Sequence, residues 1–122
     1  MLIKKIGIVA NVAKAKSPEY TAALRDWILK RGLEVHLEEG IASKIGCLPG
    51  IEMRKLWTMV DLIVVFGGDG TILRTARMVR ERDVPLVGIN LGGFGYLTEV
   101  NLGEMFDALD LILAGNFQVE KR

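Results

Sequence analysis

Phe66-Gly67-Gly68-Asp69-Gly70-Thr71 sets one carboxylate among three glycines. Glycine has no Cβ, so a ligand can approach the main chain closely there. The N–H groups of such a turn, with a helix N-terminus behind them, form a site suited to phosphate. Asp69 is the one side chain of the turn able to act as a base or a metal ligand. A hydroxyl attacking a phosphoryl group needs such an acceptor; the rest of that chemistry is positioning and charge stabilisation. The competing reading is a structural turn in which Asp69 only caps the helix. The two extra glycines and the strand–turn–helix setting favour chemistry. Arg74 follows in the first turns of that helix. A cation there opposes the helix dipole by up to about 1 kcal/mol, and a bound phosphate reverses the sign. Arg80 and Arg82, late in the helix, read as a solvated basic face.

A second glycine-rich stretch, Asn90 to Thr98, contains Gly92, Gly93, Gly95 and Tyr96. An aromatic in such a loop reads as packing or as a ligand wall. No P-loop is present, and Gly93-Phe94-Gly95 lacks the third glycine of a dinucleotide fingerprint.

These loops need elements to hold them. Lys5–Ala10, Leu62–Phe66 and Pro85–Ile89 read as buried strands, and Leu33 to Glu38 as a half-buried one. Ser17-Pro18-Glu19 reads as a helix start with Ser17 as N-cap; Gly32 closes that helix. Glu39–Gly50, with Gly40, Gly46, Pro49 and Gly50, reads as a mobile loop. Short helices are expected over Ile51–Met59 and after Thr71, the latter with Ile72, Leu73, Ala76 and Val79 inward. A last helix, capped by Asn101, carries Met105, Phe106, Leu109, Ile112 and Leu113, and Asn116–Glu120 reads as a strand. Strands alternating with helices imply an α/β fold, a Rossmann-like open, mostly parallel sheet with helices on both faces. Such sheets bind ligands beyond the carboxyl ends of their strands, where strand order switches. Asn11, Gly67–Thr71 and Asn90–Tyr96 all follow strands.

The 122 residues are half apolar and a quarter charged, which excludes intrinsic disorder. A net charge of +1 gives no argument for nucleic acid or an anionic membrane. The single cysteine, Cys47, cannot form an internal disulfide and fits a reducing, cytoplasmic setting. A mean hydropathy of +0.29 is high for a fully wetted surface, so an apolar face is expected to pack on a further domain or a second copy, as in a homo-oligomer. His36 reads as an ordinary exposed histidine; Trp27 and Trp57 read as core or interface.

Phe66-Gly67-Gly68-Asp69-Gly70-Thr71-Ile72-Leu73-Arg74 resembles the signature turn of NAD kinases, a turn type also found in diacylglycerol and sphingosine kinases. Gly88-Ile89-Asn90-Leu91-Gly92-Gly93-Phe94-Gly95-Tyr96-Leu97-Thr98-Glu99 resembles a second, more selective NAD kinase block. Phe94 stands where most of the family has Leu, and Tyr96 where it has Phe. Asn11 and Lys14 resemble its first loop, with Val12 in place of the usual Pro.

The resemblance implies phosphorylation of the adenosine ribose 2′-hydroxyl of NAD by ATP or polyphosphate. It implies Asp69 as the base, Gly68, Gly70 and Thr71 as the phosphate cradle, and Arg74 as a contact to the dinucleotide. Asn90, Gly93, Gly95 and Tyr96 would line the adenosine pocket, and Asn11 would sit beside the phosphates. A divalent cation, with magnesium the expected ion, would be held mainly through phosphate oxygens. Residues 1–122 would be the N-terminal α/β domain of a two-domain enzyme whose second, β-rich domain lies outside this sequence. A lipid kinase of the diacylglycerol type and a nucleotide-binding module without catalysis remain the alternatives.

If Tyr96 walls the ligand, Tyr96→Ala weakens NAD binding more than it lowers thermal stability. A large fall in melting temperature with unchanged affinity would make Tyr96 a core residue.

Overall fold

The unbroken apolar run that begins at Leu62 becomes the central strand of a parallel sheet. A computed structural model describes residues 3–79, 82–91 and 102–115. Along the chain run β1 (Lys5–Ala10), α1 (Ser17–Lys30), β2 (Glu34–Leu37), α2 (Glu39–Ile45), α3 (Met53–Met59), β3 (Leu62–Gly67), α4 (Asp69–Val79), β4 (Leu86–Asn90) and α5 (Leu102–Leu113). The sheet order is β2-β1-β3-β4, and every neighbouring pair is parallel. All six residues of β3 are buried, as a strand covered on both faces requires.

Alternation along the strands builds two cores. Ile6, Ile8, Leu62, Val64 and Phe66 meet Tyr20, Leu24 and Ile28 of α1, Ile41 and Ala42 of α2, and Met105 and Leu109 of α5. Val9, Ile63 and Val65 meet Leu56 of α3 and Val79 of α4, with Ile72 packed against them. Helices therefore cover both faces, as the sequence pattern implies. Gly7 makes room for α3, since a methyl group there would lie 3.2 Å from Leu56 Cγ and 3.3 Å from Val60 Cγ1. Asp61 Oδ2 accepts from the backbone N–H groups of Lys4 and Lys5 at 2.9 and 3.0 Å and pins the start of β1 beside β3. On α1, Trp27 stacks on Phe106 of α5 at 5.5 Å; Arg31 lies 3.9 Å over the Trp27 ring and bonds Asp110 at 2.8 Å.

Several local expectations are corrected. The segment Glu39–Gly50 opens with a helix, α2. The Glu38 carboxylate accepts from Gly40 N–H at 2.9 Å, Ile41 and Ala42 supply a buried face, and left-handed Gly46 (φ 71°) closes the helix. Ser17 is not the N-cap of α1: Lys16 occupies that position without a side-chain bond, and the Ser17 hydroxyl donates to Asn11 O at 2.7 Å. Leu73 is 55% exposed, and Thr75 takes the inward position. Its hydroxyl donates back to Thr71 O at 2.9 Å, which removes the penalty of burial. Ile51 pairs with Glu38 in a short bridge, so α3 starts at Met53. The expected strand Asn116–Glu120 and the cap Asn101 lie outside the described residues.

Leu56→Ala is expected to lower the unfolding free energy by about 2–5 kcal/mol, because a fully buried side chain leaves a cavity between α3 and the sheet. Leu48→Ala, at a 70% exposed position, is expected to change it by less than about 0.5 kcal/mol. Urea denaturation of both variants measures the difference.

Candidate functional site

In this strand order the chain leaves β1 toward β2 on one side, then returns to place β3 on the other. The helix after β1 packs in one core and the helix after β3 in the opposite one. The carboxyl ends of β1 and β3 therefore flank the crevice that doubly wound sheets use for ligands. The two strand ends are tied by the Asn11 N–H, which donates to Phe66 O at 2.8 Å. Leu91 N–H donates to Gly67 O at 3.2 Å and ties in the end of β4.

Gly67 permits this closeness. A methyl group there would lie 3.0 Å from Thr71 Cβ and 3.2 Å from Asn11 Cβ, tighter than ordinary contact. The expected Gly67–Gly70 turn is correspondingly shorter than the sequence reading: Gly67 ends β3, Asp69 begins α4, and only Gly68 lies between. The first helical bond runs from Ile72 N–H to Gly68 O at 3.2 Å. The amides of Asp69, Gly70 and Thr71 precede it, where a helix has no internal acceptor to offer. Those N–H groups and the dipole give the crevice a positive floor.

The side chains converge on that floor from three strand ends. Asp69 is exposed, and the Asn90 amide at the end of β4 donates to its Oδ1 at 3.3 Å. Arg74 curls back along α4, with Nη2 3.4 Å from Thr71 Oγ1 and Nη1 3.6 Å from where a Gly70 methyl would lie. From the loop after β1, Lys14 Cε and Nζ come within 3.8 and 3.9 Å of where a Gly68 methyl would lie. Asn11 shapes that loop: its Oδ1 accepts from Ala13 N–H at 3.0 Å, and its carbonyl accepts from Lys14 N–H at 3.0 Å and from the Ser17 hydroxyl.

Asn11, Gly68, Asp69, Gly70, Thr71, Arg74 and Asn90 thus gather at one sheet edge. Gly93, Gly95 and Tyr96 lie outside the described residues. Lys14 at the turn was not among the site residues expected from the sequence; its only signal there was membership of the first loop. His36, 3.4 Å from the Glu34 carboxylate, and the half-buried Cys47 are not part of this edge. Among the described residues no three His, Cys, Asp or Glu side chains are grouped to hold a metal. No helix among them is long and apolar enough to cross a membrane.

A doubly wound sheet with a glycine turn and a helix N-terminus at its switch point defines an α/β domain of the nucleotide-binding type. Within that class the chain belongs to the ATP-NAD kinase N-terminal domain family, whose profile matches residues 6–117. An NAD kinase of Geotalea daltonii is 40% identical over 120 residues, and one of Syntrophotalea carbinolica 43% over 124. Each alignment takes in 98% of this chain and 42% of the relative, so the chain spans under half the length of these relatives. The fold also matches the crystal structure of yeast NADH kinase complexed with NADH, with a TM-score of 0.76 at 18% identity, over 94% of this chain and 37% of that one.

Gly67→Ala is expected to destabilise the domain by about 1–3 kcal/mol, because Thr71 and Asn11 must move apart. At Gly68 a methyl group would meet Lys14 only at ordinary contact distance, so Gly68→Ala is expected to fold with a loss below about 1 kcal/mol. Denaturant titration of the pair separates the two roles.

Proposed function

We propose that this chain forms the base-bearing N-terminal domain of an NAD kinase, which transfers a phosphoryl group from ATP to the adenosine ribose 2′-hydroxyl of NAD. The observation that carries this reading is one carboxylate, Asp69, standing at the helix end of a glycine turn at the switch point of a chain in this family. Asp69 accepts the proton from the attacking hydroxyl. The Asn90 amide donates to one of its oxygens and turns the carboxylate toward β4. The amides of Asp69, Gly70 and Thr71 bind phosphate oxygens, and Arg74 adds positive charge beside them.

A divalent cation, when bound, neutralises charge on the phosphate chain. Among the described residues Asp69 is the carboxylate at the turn, and a single carboxylate suits magnesium, which takes few protein ligands and is held largely by substrate phosphates. The second domain of the reading would close over the other side of the dinucleotide; relatives more than twice as long as this chain support it. Residues 1–122 alone are accordingly expected to form no NADP.

The test compares Asp69→Asn with the unaltered sequence in a protein carrying both domains. Turnover, followed by NADP formation from NAD and ATP, is expected to fall roughly 10²–10⁴-fold with nucleotide binding retained. Near-normal turnover by the variant would remove Asp69 from the mechanism.

A further inference from the structure

Lys14 and Asn90 reach the glycine turn from opposite sides. The sheet order sets β1 on one flank of β3 and β4 on the other. Asn90, at the end of β4, bonds Asp69. Lys14, in the loop after β1, places its ammonium over Gly68, 3.9 Å from where a side chain there would begin. The loop that carries it is fixed by three bonds to Asn11: from Ala13 N–H and the Ser17 hydroxyl, and from Lys14 N–H itself. A second tie runs from Ser17 N–H to Lys14 O at 3.0 Å. Lys14 is therefore delivered to the turn by ordered backbone.

Resting on the kinase reading, we propose that Lys14 binds the phosphate chain of the donor, and that Asn11 is a positioning residue acting through it. In-line transfer requires the attacking hydroxyl and the departing phosphate chain to lie on opposite sides of the phosphoryl group. The base that deprotonates the hydroxyl marks the acceptor side, and Asp69 is drawn toward β4 by Asn90. The β1 side is left for the donor, and among the described residues Lys14 is the cation from that side that lies against Gly68. An ammonium on a flexible stem suits this task, since it meets phosphate oxygens as a compact point charge and can follow them. Gly68 complements it. A side chain at that position would stand between the ammonium and the turn, whereas glycine leaves room for a phosphate group bridging Lys14 and the amides.

Phosphate chains could come from the donor or from the pyrophosphate of NAD, and calorimetry on the 122-residue chain distinguishes them. ATP, inorganic tripolyphosphate and NAD are titrated into the unaltered chain, Lys14→Met and Lys14→Arg. Lys14→Met is expected to weaken ATP and tripolyphosphate alike by about 10–100-fold, the loss of one charge-assisted hydrogen bond, and NAD by much less. Lys14→Arg is expected to restore part of the loss, because the charge returns. Asn11→Ala should weaken the same two ligands without adding to the effect of Lys14→Met, a coupling that a merely structural role would not produce. Equal ATP binding by Lys14→Met and the unaltered chain overturns the assignment, as does a loss confined to NAD or no binding of ATP and tripolyphosphate by the unaltered chain. Binding of ATP through Lys14, with no NADP formed by a protein carrying both domains, would remove the kinase reading and leave this assignment standing.

Discussion

The geometry of this domain depends on a single close approach at the end of β3. Gly67 has no side chain, so Thr71 of α4 and Asn11 of the loop after β1 pack where one would have been. That closeness lets the Asn11 N–H tie the ends of β1 and β3 through Phe66 O, and it sets the start of α4 directly over the crevice. The residues behind it supply the rigidity: Leu62 to Phe66 are fully buried, with alternate side chains anchored in opposite cores. A buried parallel strand has little freedom to slip, because a shift of one residue would exchange its two faces. The glycine turn is therefore presented from a fixed support, while Gly68, Asp69 and Gly70 stay accessible at its tip.

Much of the scaffold was legible in the sequence. The bounds of β1 agree residue for residue, and the β-branched run of β3 announced a strand covered on both faces. These signals are local and strong. Weaker ones misled where a local rule met a tertiary one. Glycines in the Glu39–Gly50 segment looked like loop formers, yet Gly40 and Gly46 stand at the two ends of α2, where glycine costs little. Ser17 looked like an N-cap, but its hydroxyl is used to fasten the loop after β1. Leu73 looked inward by apolar character alone; the register of α4 against β4 instead turns Ile72 onto Gly88.

Site legibility divides in the same way. Asp69 with its glycines could be read from spacing, because the chemistry sits in consecutive residues. The bond from Asn90 and the approach of Lys14 depend on strand order, which hydrophobic pattern does not encode. A sequence places Lys14, Asp69 and Asn90 after three strands; only the order β1-β3-β4 says which of them flanks the carboxylate on which side. Membership of the ATP-NAD kinase N-terminal domain family supplies the chemical setting for this arrangement, and the shared fold extends to a kinase structure with only 18% identity.

The central claim is that phosphate binds at the switch point between β1 and β3. A crystal structure of this chain grown with ATP tests it most directly. Phosphate oxygens are expected within hydrogen-bond distance of the amides of Asp69, Gly70 and Thr71, beside the Asp69 carboxylate. ATP bound with its phosphates away from this turn, and with the crevice between β1 and β3 still open to the nucleotide, would contradict it.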